Sequence, residues 1–240
     1  KEVLNKEGIE WEEGKHNSDI ILGATEIIKS PGIPEKVQIV QKALEKGIQV
    51  ISEIEFAGRH TKAKLIGITG SNGKTTTTLL TYHILKKAGL NVGIAGNVGV
   101  SFAKQVAAED FDFYVLELSS FQLDGLVNFK VDISVLLNIT SDHLDRYQYK
   151  FENYVNSKFR ITNNQLKEDF FIYCKDDEAI VKVLGNKKIE ATQLPFSIKE
   201  EGCEGAYLNK KEEVVFNHIN QQQPQTMSIH DLALNGKHNI

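Results

Sequence analysis

Apolar residues at the start of the chain come in short clusters separated by polar breaks. Ile20 to Leu22 is one run and Glu26 to Ile28 another; Ser30-Pro31-Gly32-Ile33-Pro34 interrupts the pattern, and Val37, Val40, Ala43 and Leu44 then recur at helical spacing. Gly47 stands where such a helix ends, and Ile48 to Ile51 reads as a buried strand. Strands alternating with helices imply a parallel sheet. The chain turns polar and basic over Gly58 to Lys64, and a new strand-loop-helix unit opens at Leu65, which predicts one unit over 1–60 and a second over 61–240. Further strands are expected at Val92 to Ala95, Phe113 to Leu118, Ile133 to Asn138 and Phe170 to Tyr173. A helix is expected from Thr75 to Ala88, burying Leu80, Ile84 and Ala88 and stopping before Gly89. Beyond Leu194 the pattern is of short strands, with Val214 to Ile219 and Met227 to Leu232 flanking a polar tract, 220–225, that reads as a hairpin loop. There is no internal repeat.

Composition changes this picture little but excludes several classes. With 240 residues and 41% hydrophobic content there is ample material for a core. The balance of 28 basic and 32 acidic residues, with no basic run, offers no electrostatic footprint for nucleic acid. Two isolated cysteines, Cys174 and Cys203, make no disulfide framework and point to a reducing compartment. No stretch approaches the ~20 apolar residues of a membrane helix, and the first residues lack a signal-peptide core. A cytoplasmic location is expected. The opening lysine and the unfinished look of Gly236-Lys237-His238-Asn239-Ile240 suggest a fragment.

The strongest motif is Leu65-Ile66-Gly67-Ile68-Thr69-Gly70-Ser71-Asn72-Gly73-Lys74-Thr75-Thr76. It places an apolar strand, a glycine-bearing loop and a helix in the order that aims backbone N–H groups and a helix N-terminus at phosphates. Lys74 would reach the terminal phosphates and the Thr75 hydroxyl would ligate Mg²⁺. Ile68 stands where the first glycine of the general pattern belongs, and Gly67 lies one place early. The alternative, a strand-to-helix turn with a chance Gly-Lys-Thr, leaves the strand, the helix and two correctly spaced glycines unexplained, so ATP or GTP binding is expected. The run of four threonines after Lys74 fits work at the phosphates better than helix propensity.

Asp112-Phe113-Tyr114-Val115-Leu116-Glu117 is an apolar strand ending in an acid, where a carboxylate holds a metal or its water beside a phosphate loop. A strand-terminal Glu is often merely solvated, but this one runs into Leu118-Ser119-Ser120-Phe121-Gln122-Leu123-Asp124 at the sheet edge where α/β proteins bind ligands. The strand after it delivers Asn138-Ile139-Thr140-Ser141-Asp142-His143-Leu144-Asp145-Arg146-Tyr147 to the same edge. There His143 is a candidate to ligate metal or orient a carboxylate, while Asp142 would fix its tautomer or cap a helix. Lys158 follows on a helix with a core row of Phe151, Val155 and Phe159 and with Tyr154 one turn earlier; composition alone reads it as a solvated lysine.

Taken together, the phosphate-loop segment, Gly96-Asn97, Leu116 to Leu123, Asp142 to Tyr147, and Lys158 fifteen residues after His143 resemble the Mur ligases. The displaced first glycine is the form that family shows. Ser119-Ser120-Phe121-Gln122-Leu123 and Ser30-Pro31-Gly32-Ile33-Pro34 resemble its D-glutamate-adding branch. The resemblance implies an α/β fold: a partial Rossmann-like UDP-binding domain over 1–60, then, over 61–240, a three-layer α/β/α ATP-binding domain with a mainly parallel sheet and a small β extension. It implies ATP phosphates on Gly70, Ser71, Asn72, Gly73, Lys74, Thr75 and Thr76, and adenine near Asn239. It also implies one Mg²⁺ on Thr75 and Glu117 and a second on His143 and Lys158, the latter carrying a CO₂-derived carbamate.

Asn97, Ser119, Gln122, His143 and Tyr154 match positions around the muramoyl-alanine end of the substrate, and Ser30, Pro31 and Gly32 a loop near its uridine. The implied catalytic residues are Lys74, Glu117, His143 and Lys158, with UDP-N-acetylmuramoyl-L-alanine and D-glutamate as substrates and an acyl-phosphate intermediate; a monomer is expected, although oligomeric state is not written in the sequence. The chain matches only about half of the family's three-domain architecture, and ligation by it alone is not expected. Two alternatives stay open: another carboxylate–amine ligase such as a folylpolyglutamate synthase, or a nucleotide-binding module without ligase chemistry.

Overall fold

The structure, a computed structural model, describes residues 1–217 and 223–231. It opens with α1 (Glu2–Lys6) and α2 (Ser18–Leu22); the latter takes up the Ile20 to Leu22 run because Asn17 caps it, accepting the Asp19 N–H. Next come β1 (Glu26–Ile28), α3 (Gln38–Glu45) and β2 (Gln49–Ile51). The helix turns Val40 and Ala43 inward, and Gly47 follows it at φ +76°, the left-handed conformation that ends helices. β1 and β2 then pair in parallel, Ile27 opposite Val50.

The chain continues through α4 (Glu53–Gly58) to the main sheet, whose strands are β3 (Lys64–Thr69), β4 (Val92–Gly96), β5 (Phe113–Glu117), β6 (Ile133–Leu136), β7 (Phe170–Cys174), β8 (Thr192–Ser197), β9 (Gly205–Leu208), β10 (Glu213–Asn217) and β11 (Gln225–Ser228). Their order is β11-β10-β9-β8-β7-β6-β3-β5-β4. Neighbours from β4 to β9 run parallel, and β10 and β11 close the edge as an antiparallel extension. The helices are α5 (Lys74–Lys87), α6 (Phe102–Ala108), α7 (Ser120–Asp124), α8 (Phe151–Phe159) and α9 (Glu178–Leu184). The antiparallel pair read from the sequence is present, Val214 opposite Met227, but its second strand begins at Gln225, inside the tract read as loop, and stops at Ser228, with Ile229–Asp231 a 3-10 turn; residues 218–222 of the expected loop region lie outside the described residues.

The strands are apolar on both faces because helices cover both. Alternate residues divide: Leu65, Tyr114, Leu116 and Leu118 pack with Ile54 and Ala57 of α4 and Phe102 of α6, whereas Ile66, Ile68 and Val115 face Tyr82 and Leu85 of α5. The expected buried stripe of α5 is therefore wrong. Leu80 and Ile84 are 43% and 57% exposed and Ala88 is exposed, while Thr78, Tyr82 and Leu85 turn inward. Both stripes have helical spacing, so periodicity had no means of choosing between them.

Glu55, almost fully buried, ties α4 to the main sheet. Its Oε2 accepts the N–H groups of Val127, Asn128 and Phe129 at 2.8, 3.1 and 2.8 Å, and its Oε1 meets Arg59, which reaches on to Glu26 of β1.

Candidate active site

The phosphate loop lies between β3 and α5. Gly73, at φ +81°, lets the chain turn into the helix, and a side chain at Gly70 would press against Leu137 Cβ at 3.0 Å and the Asn72 carbonyl at 3.3 Å. The early Gly67 serves packing instead. Within β3, a Cβ there would meet Val131 at 2.9 Å and Leu118 at 3.2 Å, so the glycine permits close approach of the segments that enter β6 and leave β5. The segment after β6 splints the loop. Asn138 Oδ1 accepts the Asn72 N–H at 2.8 Å and its Nδ2 donates to the Asn72 carbonyl at 3.1 Å. Ser71 Oγ donates to the Thr140 carbonyl and accepts the Thr140 N–H, both at 2.9 Å, with the Tyr154 hydroxyl 3.2 Å away. Asn138 and Thr140 were missed as site residues; the one signal for them was the run of polar residues where β6 ends.

Beside the loop, Thr75 Oγ1 donates to Glu117 Oε2 at 2.8 Å. Asn97 Nδ2 donates to Glu117 Oε1, also at 2.8 Å, and the Asn97 N–H donates to the Glu117 carbonyl. This needs Gly96: a Cβ there would lie 2.2 Å from the Glu117 carbonyl oxygen. Glu117 is thus oriented from both sides and nearly fully buried. An oxygen-only pair of hydroxyl and carboxylate at a helix N-terminus suits a hard divalent cation.

Lys158 departs most from its composition-based reading. It is 1% exposed, its Nζ donates to the Gly70 carbonyl at 2.7 Å, and it lies 4.7 Å from the centre of the Tyr154 ring. Lys74 Nζ donates to the same carbonyl and to that of Ser71, each at 2.9 Å. Burial, then repulsion from Lys74, lowers the Lys158 pKa to about 7.

His143 is half exposed at φ +50°, its ring 3.4 Å from Asp142 Oδ2 and 5.2 Å between centroids from Phe121. Asp142 touches the histidine and caps no helix. Among the described residues no group of three His, Cys, Asp or Glu side chains is placed to hold a metal. In its protonated form Lys158 offers no lone pair to a cation.

Ser119 and Gln122 form a capping box that starts α7: Ser119 Oγ accepts the Gln122 N–H, and Gln122 Oε1 accepts from both the Ser119 N–H and its hydroxyl. Ser30, Pro31 and Gly32 lie away from the phosphate loop, held by Arg146, which donates to the Pro31 and Gly32 carbonyls at 3.2 Å. A cavity of about 990 Å³ beside them is lined by Lys29, Pro31, Arg146, Tyr147 and Arg160 and by no residue of 69–76. Asn72 and Thr76 are exposed on the loop and first turn of α5. Asn239 and His238 lie outside the described residues.

A Mur ligase middle domain matches residues 68–240. The chain belongs to the Mur ligase family. Proteins named UDP-N-acetylmuramoylalanine–D-glutamate ligase from Bacteroides fragilis and Christiangramia forsetii are similar to this Mur ligase chain, 55% identical over 243 residues and 53% over 239. Each alignment takes in 100% of the chain and 53% of the relative. The chain spans about half the length of the curated relatives it matches. In fold, this Mur ligase chain resembles the solved UDP-N-acetylmuramate:L-alanyl-gamma-D-glutamyl-meso-diaminopimelate ligase of Neisseria meningitides, with a TM-score of 0.61 at 18% identity over 99% of this chain and 77% of that one. No described helix is long and apolar enough to cross a membrane.

Proposed function

We propose that this chain forms the ATP- and carboxylate-handling part of a ligase that joins D-glutamate to UDP-N-acetylmuramoyl-L-alanine. The observation that carries this reading is the Thr75–Glu117 hydrogen bond together with the convergence of Lys74 and Lys158 on the Gly70 carbonyl of one phosphate loop, in a chain about half identical to ligases of that name. Residues 61–240 hold ATP; residues 1–60 belong to the part that takes the uridine end, with α4 packed on the larger sheet. The relatives are about twice as long, and we assign delivery of the D-glutamate amine to that further length.

A free carboxylate is a poor acyl donor because oxide is a poor leaving group. The γ-phosphoryl passes from ATP to the alanyl carboxylate, releasing ADP; the D-glutamate nitrogen attacks the acyl carbon, the C–O bond to phosphate breaks, and the amine loses a proton as the amide forms. The loop N–H groups orient the phosphates, and Lys74 exchanges its carbonyl contacts for phosphoryl oxygens, countering charge that builds during transfer. Thr75 and Glu117 would hold one Mg²⁺, whose chemistry is to neutralise phosphoryl oxygens. Lys158 is suited to accept CO₂, since burial favours the neutral, nucleophilic amine; the carbamate, with His143, would hold a second cation. The Gln122 amide nitrogen, without a partner among the described residues, and Asn97, Ser119 and Tyr154 are assigned to the muramoyl-alanine end.

Equilibrium binding to the chain tests the reading. ATP with Mg²⁺ and UDP-N-acetylmuramoyl-L-alanine should each bind, the latter in preference to a folate. Preference for a folate would favour the folylpolyglutamate-type alternative, and nucleotide binding without response to either would leave a nucleotide module.

A further inference from the structure

The 3-10 turn Leu144–Tyr147 carries Arg146 and is bounded by backbone in the left-handed region: His143 at φ +50° before it, Gln148 at +57° and Tyr149 at +56° after it. None is glycine, and three such residues around one turn persist only where side-chain contacts over-determine them. Arg146 supplies such contacts. Its two terminal nitrogens donate to the Pro31 and Gly32 carbonyls, and its guanidinium lies 4.4 Å from the centre of the Phe121 ring, whose centroid is in turn 5.2 Å from that of His143. Tyr147 pins the other end, donating to Asp124 Oδ2 at 2.9 Å with Ser157 Oγ 3.1 Å away.

We propose that Arg146 is a positioning residue that locks the Ser30 to Gly32 loop to the turn bearing His143, so that the uridine end of the substrate and the phosphoryl-transfer site are held in one register. It rests on the function proposed above for the roles of the two ends, though not for the lock itself. The planar fork of arginine is what spans two successive carbonyls while stacking on a ring; lysine, a point charge, does neither at once.

The test compares wild type, Arg146→Ala and Arg146→Lys. By amide exchange, Arg146→Ala should speed Ile33 in the loop and Tyr149 in the turn at least tenfold each, leaving α5 unchanged. ADP affinity should stay within twofold, showing an intact phosphate loop, while affinity for UDP-N-acetylmuramoyl-L-alanine falls at least tenfold. Arg146→Lys should recover less than a third of that loss. Unchanged protection at Ile33 in the alanine variant, or full recovery by lysine, would overturn the proposal. If wild type does not bind the muramoyl nucleotide, the functional reading fails, and the paired exchange rates alone decide whether the lock exists.

Discussion

Lys74 and Lys158 donate to a single carbonyl oxygen, that of Gly70, at 2.9 and 2.7 Å. Burial of Lys158, and after it the repulsion of the Lys74 ammonium at the shared acceptor, lowers the Lys158 pKa to about 7. Half of Lys158 is then the neutral amine near pH 7, where an ordinary lysine is almost fully protonated. Exposure of the chain to ¹³C-labelled CO₂ should give a carbamate carbon signal that grows as pH rises from 6 to 8 and is absent in Lys158→Met. A signal of equal size in that variant would assign the modification elsewhere.

The same shift makes a stability prediction. In the unfolded chain Lys158 has its ordinary pKa, 10.5. Below about pH 7 both states hold the proton, and the folded state bears the whole burden of a buried ammonium. Between about 7 and 10.5 the unfolded state binds more protons, so stability from this group rises with pH. Lys158→Met, without CO₂, should therefore raise Tm most at pH 6, with the advantage over wild type shrinking toward pH 10. A constant difference across that range would show that Lys158 titrates alike in both states.

Glu117 is oriented by Thr75 and Asn97, so its charge and its shape are separable. Glu117→Gln keeps the length and one acceptor oxygen but removes the anion that would hold Mg²⁺. It should leave Tm within a few degrees while weakening the Mg²⁺-dependent part of ATP binding about tenfold or more, read by titration with and without Mg²⁺. Equal loss in both conditions would place Glu117 in loop structure alone.

Much of this was legible in the sequence because it depends on local order. Strand, glycine loop and helix come in sequence, and a carboxylate ending an apolar strand reaches the sheet edge wherever that strand pairs. What the sequence did not reveal depends on contacts distant along the chain. The splint of Asn138 and Thr140 on Asn72 and Ser71 crosses more than sixty residues, and so does the link from Glu55 to Val127. Lys158 looked like a solvated lysine because composition does not register that its helix face turns to the phosphate loop rather than to water. Family resemblance marked Lys158 without explaining its burial.

The helix after the phosphate loop offers a direct check on packing. Leu80→Ser and Ile84→Ser, on the exposed stripe, should each change unfolding free energy in urea by no more than about 0.5 kcal/mol. Leu85→Ala, against Ile66, Ile68 and Val115, should cost about 2 kcal/mol. The reverse order would restore the stripe that spacing first suggested.

Glu55 and Glu26 both meet Arg59, yet their environments differ. Glu26 makes its pair at the surface, where solvent screens the charge, and Glu26→Ala should cost about 0.5 kcal/mol. Glu55 is buried and neutralises three successive N–H groups at 127–129 that have no other acceptor among the described residues. Glu55→Ala would leave those donors and Arg59 without it, at about 3 kcal/mol or more, and Glu55→Gln, which keeps shape but loses charge, should fall between. Because α4 leads from the small sheet to the large one, amide exchange in Glu55→Ala should rise at 127–129 and in β1 and β2 before it rises in β3 and β5. Denaturant titration of the three variants beside wild type gives the ranking, and equal costs at Glu26 and Glu55 would mean that the buried carboxylate carries no more of the junction than its surface counterpart.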